Sequence, residues 1–167
     1  MSIESQISKW DKKSADDIRA INQNYYKDSE FSNTLISMLK DTLLQVGASW
    51  LLKAYLESKY PLSQEQIKAI YSSLNLLEPW EAKLHILQCM PYMPIDKDSK
   101  NNVTVFLRLT LTDLNKFVRA WSYNGFYELA RQYPDHREET EQFFEMAMRD
   151  EAASVKARIR QIMKKGF

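Results

Sequence analysis

The stretch Thr112–Leu129, TDLNKFVRAWSYNGFYEL, decides the fold. Read as a helix, it sets Val118, Trp121, Ser122, Gly125, Phe126 and Leu129 at steps of three and four, which makes one stripe. Ser122 and Gly125 are very small, so this stripe suits a helix that a second helix approaches closely over part of its length. Asp113 is the expected N-cap, and Arg119 follows it by six residues. The arrangement returns later in the chain, where Asp150 precedes Lys156 by six and Val155 stands where Val118 stood.

Composition agrees with a helical reading. The 167 residues fall within the range of one domain and are enough to bury a core. Three Gly and five Pro are too few for a loop-rich β-protein, whereas Leu, Lys, Glu, Gln, Ala and Met favour helix. Twenty-three basic against twenty-two acidic residues leave a formal charge of +1, so no global field draws the chain to nucleic acid or to an anionic membrane. The lone cysteine, Cys89, cannot close an internal disulfide, and no apolar leader or membrane-length apolar run is present. The expectation is a soluble cytoplasmic protein with no membrane partner.

Working outward, residues 1–28 read as two short helices broken near the charged run DKKSADD, a polar cap over the open end of the helices beyond it. Four helix pairs are expected after this cap, over 31–60, 63–91, 102–133 and 136–165, within a single domain 1–167. In the first, Leu35, Ile36, Leu39 and Leu43 share a face, and Pro61 closes the pair. Ser63 and Gln66 have capping-box spacing. Pro79 suits the first turn of a helix from Trp80 to about Met90. Val103–Leu111 has high β-propensity, but a lone strand would have no neighbour, so it too is assigned to helix. Ala48, Ala82, Val118 and Val155 mark equivalent points on the second helices, at spacings of 34, 36 and 37 residues. Near-constant spacing of that size predicts a right-handed α-α superhelix of about four hairpins with an N-terminal helical cap.

The second helices resemble those of the HEAT/armadillo-like repeat superfamily, most clearly over Asp113–Lys164. The residues that carry the resemblance are Asp113, Val118-Arg119, Trp121-Ser122, Gly125-Phe126 and Leu129, and again Asp150, Val155-Lys156, Ile159 and Ile162-Met163. The pattern departs at Trp80-Glu81-Ala82-Lys83-Leu84, which lacks the Asp, and at Val46-Gly47-Ala48-Ser49, where Ser49 replaces the base. The resemblance implies a HEAT-like solenoid with a tendency to bind macromolecules, and it implies no chemistry. It also implies that Asp113, Arg119, Asp150 and Lys156 link neighbouring repeats as a polar ladder.

In such a solenoid the second helices line the concave side. Stepping one and five residues on from the four equivalent points selects Ser49, Lys53, Lys83, Leu87, Arg119, Tyr123, Lys156 and Arg160, of which five are basic and none acidic. Lys53, Lys83, Arg119, Tyr123, Lys156 and Arg160, with Trp80 at a helix start, therefore form the candidate binding face for carboxylates or phosphates. The ladder competes with binding for Arg119 and Lys156.

Catalytic signals are few. His85 and Cys89 share a helix face at i, i+4, without a second pair to complete a metal site, and no glycine-rich phosphate loop, GxSxG or HExxH motif occurs. The acids around His136 suit a helix N-terminus. The sequence thus points to a non-enzymatic module, without cofactor or metal, that binds a protein or peptide. The alternative is nucleic-acid binding, or base excision in the manner of the HEAT-like DNA alkylation-repair glycosylases. Near-neutral charge and the lack of a carboxylate beside an aromatic pocket stand against it.

Overall fold

The computed structural model describes residues 1–167 and consists of helices joined by turns, with no strand. The chain divides between Tyr92 and Met93, in the segment bounded by Pro91 and Pro94, into two compact units.

The first unit contains α1 (Ile3–Lys9), α2 (Ala15–Tyr25), α3 (Phe31–Met38), α4 (Gln45–Glu57), α5 (Gln64–Ser72) and α6 (Trp80–Cys89). Ser2 and Ser14 cap α1 and α2 by accepting from backbone N–H groups one turn on. Between them the Asp11 carboxylate accepts from the amides of Lys13 and Ser14, both at 2.8 Å, which fixes the break expected near DKKSADD. The Ser63–Gln66 capping box closes in both directions, at 3.2 and 2.9 Å.

Helix α4 lies at the centre of this unit, against α2, α3 and α6, while α5 packs on α3. The principal partner of α6 is therefore α4 rather than α5, its expected hairpin mate. A 3-10 turn at Leu74–Leu76 and the extended Leu77–Pro79 linker separate α5 from α6. Gln45 holds that linker. Its amide Nε2 donates to the carbonyls of Leu39 (2.9 Å) and Leu76 (2.7 Å), and its Oε1 accepts from the Glu78 amide (3.1 Å). Fully buried, Gln45 leaves no polar atom of its own unsatisfied. Leu43, expected on the inner face, is 72% exposed, because α3 ends at Met38 and Leu43 falls in the turn before α4.

The second unit contains α7 (Lys100–Thr110), α8 (Lys116–Gln132), α9 (Arg137–Asp150) and α10 (Ala153–Lys165). The β-prone stretch is helical: Val103, Phe106, Leu107 and Thr110, at i, i+3, i+4 and i+7, are buried, and Val105 and Leu109 face outward. Thr110 donates to the hydroxyl of Ser122 at 2.8 Å and Ser122 donates to the Leu107 carbonyl at 2.8 Å, so the small residue read as a point of close approach also joins α7 to α8. Helix α8 packs against α7, α9 and α10, burying Ala120, Tyr123 and Tyr127 with Phe144, Val155, Ile159 and Ile162. The N-cap of α8 is Asn115, not Asp113: Asn115 accepts from Phe117 and Val118, while the Asp113 carboxylate accepts from the Asn115 amide two residues earlier in the turn.

Gly47 marks a close approach of α4 to α1, since a Cβ there would sit 2.5 Å from Cγ2 of the buried Ile7. Gly47→Val is expected to lower stability by roughly 1–3 kcal/mol through overpacking. Combined with Ile7→Ala, it should cost less than the sum of the two single substitutions, as read from urea midpoints in a double-mutant cycle.

Candidate functional site

The candidate residues meet different fates, decided by which groups their neighbours supply. In the first unit, Lys53 of α4 pairs with Glu57 at 3.0 Å, one turn on. It borders a polar cavity of about 430 Å³ between α2 and α4, lined also by Arg19, Asn22 and Trp50. Ser49 and Leu87, selected by the same register, are buried and offer nothing to solvent. Lys83 is half-buried with no carboxylate in ion-pair range, and Trp80, one turn before it on α6, is 44% exposed.

Beneath these residues α4 and α6 share a polar tie that the sequence pattern does not reveal. Ser49 Oγ stands 2.9 Å from Nδ1 of His85 and 3.1 Å from the Val46 carbonyl oxygen. Desolvation, reinforced by the nearby charge of Lys53, holds His85 down at about 4, so the ring is neutral at pH 7. A buried serine has no path to a substrate, and the bond serves to join two helices. Cys89, one turn beyond His85, is buried, and that burial pushes its thiol up, away from the reactive thiolate. No group of three or more His, Cys, Asp or Glu stands together as a metal site.

In the second unit Arg119 is consumed. Its Nε donates to one oxygen of Glu151 at 2.7 Å and its NH2 to the other at 3.0 Å, while NH1 donates to the carbonyls of Asp113 (2.9 Å) and Leu114 (3.2 Å). This bidentate clasp ties the α7–α8 turn to the α9–α10 linker. It lowers the Glu151 carboxyl below its usual range, chiefly through the hydrogen bond from Arg119. The expected partners of Arg119 are thereby corrected. The carboxylate that meets it is that of Glu151, the residue after Asp150, because Glu151 is the one held in the linker facing Arg119, whereas Asp150 is exposed at the end of α9. Asp113 contributes a backbone carbonyl in place of its carboxylate, and Lys156 takes no part.

Tyr123, expected on the binding face, belongs to the core instead. It is buried against Phe144, their ring centroids 6.2 Å apart, and burial pushes its hydroxyl up to about 12. A residue in the middle of α8 has α9 and α10 packed over it, so the register that selects it points inward.

Helix α10 keeps its cations. Lys156, Arg158, Arg160, Lys164 and Lys165 have no carboxylate in ion-pair range, and α10 itself holds no acid. Arg158 lies over the Trp121 ring at 4.2 Å and Lys165 over Tyr127 at 6.0 Å, which turns both toward α8. Lys156, Arg160 and Lys164, at i, i+4 and i+8, follow the opposite flank.

The clasp predicts unequal responses. Removing Arg119 or Glu151 should cost about 2 kcal/mol or more, with a coupling of roughly 1–3 kcal/mol in a double-mutant cycle, whereas Lys156→Ala should stay within about 0.5 kcal/mol. Because the folded-state carboxyl of Glu151 is depressed, its share of stability is present above the ordinary carboxylate range and fades as pH falls through the lowered value. His85 acts in the same direction over a different window. The unfolded chain takes up a proton near 6.5 and the folded chain only near 4, so protonation favours unfolding throughout that interval. Lowering the pH from 7 to 5 should cost about 2 kcal/mol through this residue, and chemical denaturation of His85→Gln should show that pH dependence reduced by the same amount. Comparison with protein-family models, curated proteins and solved structures finds no match for this chain.

Proposed function

We propose that this chain is a non-catalytic, HEAT-like binding module that holds an acidic segment of a protein partner against the cationic flank of α10. One observation carries the reading. Arg19, Lys53, Lys100, Arg108, Arg119 and Arg131 each stand within 3.5 Å of a carboxylate, yet Lys156, Arg160 and Lys164 align on one flank with none. Other surface cations are unpaired as well, but these three align on one flank of a helix that holds no acid, and an aligned, unpaired set is an available site for anions. Trp80 and Lys83 of α6 offer similar chemistry in the first unit, an exposed ring one turn from an unpaired cation.

Phosphate would suit the same cations, but three such contacts in a near-neutral chain give a weak electrostatic hold on a duplex. Fluorescence anisotropy with a labelled oligoglutamate peptide and a labelled DNA duplex, at low and moderate salt, separates the two. The peptide should bind more tightly than the duplex, and Lys156→Glu with Arg160→Glu should weaken it about tenfold or more, at roughly 0.5–1 kcal/mol per exposed pair. No peptide binding by the monomeric chain at low salt, or preference for the duplex, would overturn the proposal.

A further inference from the structure

Helix α9 mirrors the arrangement of α10 with the opposite sign. Glu139 is held by Arg108 of α7 at 2.9 Å, and the Phe143 ring meets that of Phe126 at a tilt, with centroids 5.0 Å apart, so one side of α9 faces the rest of the unit. Glu138, Glu141 and Glu145, at i, i+3 and i+7, lie on the other side, exposed and without a cation in ion-pair range. Between α9 and α10 runs a cavity of about 700 Å³ floored by Tyr127, Phe144 and Ile162, with Glu141, Glu145 and Arg149 on its α9 side and Met148 and the 58% exposed Met163 at its border; the helical period sets Lys156 and Arg160 of α10 next to Met163, on the outer side of that border. The Gly166–Phe167 segment closes one end, the Phe167 ring lying 5.5 Å from that of Tyr127.

An apolar centre with charged margins has the anatomy of a protein interface, and the two margins carry opposite signs. Such a face is complementary to itself. When two copies meet across a two-fold axis running parallel to the helices, α9 of each lies antiparallel on α10 of the other, and acidic flank meets basic flank twice. Arg149 of α9 falls toward the Lys156 end, so the pairing concentrates on Glu141 and Glu145 against Arg160 and Lys164. The apolar margins then meet across the axis, where the flexible methionines adapt to one another.

We infer that the α9–α10 face is a homodimer interface, and that the acidic partner of the α10 cations is the α9 helix of a second copy. The inference rests on the proposed binding function and names its partner. Sedimentation velocity on the full chain, over a range of concentrations, tests it. The wild type should associate as a dimer. Glu141→Lys with Glu145→Lys reverses the sign of the paired acids, and Arg160→Glu with Lys164→Glu reverses that of the paired bases. Each double variant alone should weaken self-association on the order of 100-fold, since every substitution acts twice across the axis. Mixed in equal amounts, the two should form a heterodimer, because basic faces acidic on both sides, and that rescue also shows that both variants fold. A wild type that stays monomeric throughout, a dimer indifferent to both reversals, or a mixture that fails to associate would overturn the inference. A monomer that still binds oligoglutamate through Lys156 and Arg160 would overturn the dimer alone. A monomer that binds no peptide would remove both.

Discussion

In each unit, one long polar side chain beside the second helix of a pair holds the linker that leads into the next. Gln45 spans from the end of α3 to the linker before α6, with contacts to Leu39, Leu76 and Glu78. Arg119 does the same between the α7–α8 turn and the α9–α10 linker, through Asp113, Leu114 and Glu151. The physical constraint is common to both. A turn packed against a neighbouring helix must satisfy its backbone groups or pay their desolvation, and a side chain with several donors or acceptors does this while fixing where the next helix starts. With the linkers held, α6 lies against α4 and α10 against α8, and each helix covers the apolar stripe of the other.

That arrangement governs which charges remain for function. Two arginines on flanks that face a neighbouring segment find carboxylates: Arg108 meets Glu139, and Arg119 meets Glu151. Arg158 and Lys165 rest over the aromatic rings of α8 instead. The flanks of α9 and α10 that no helix of the unit covers carry acids on one and bases on the other. Binding capacity is thus what the internal pairing leaves over. The same logic explains why His85 and Cys89 are poor candidates for chemistry. Both are drawn into the α4–α6 contact, one as a neutral partner of Ser49 and the other as a small apolar side chain.

Much of the scaffold was legible because it depends on short-range physics. The break between α1 and α2, the Ser63 box and the helical phase of Val103–Thr110 depend on residues within about two turns of one another, and the sequence displays those directly. The site was less legible. Reading Tyr123 as a surface residue required knowing the side of α8 on which α9 and α10 lie, and the difference between a wall and a core is a rotation of the helix that periodicity alone does not set. Asp150 and Glu151 are adjacent, and only the path of the linker decides which carboxylate meets Arg119. Gln45 resembled any helical glutamine, although a buried amide joining two linkers is among the most constrained groups in the first unit.

By itself the sequence determined the helical class, the positions of most helices and the near-balance of charge, because propensity, capping and apolar period are properties of neighbouring residues. Tertiary structure alone decided which cations are engaged and which are free. Ion pairs such as Arg119–Glu151, formed across more than thirty residues, depend on helix rotation and linker path, and these are set by packing rather than by any local pattern.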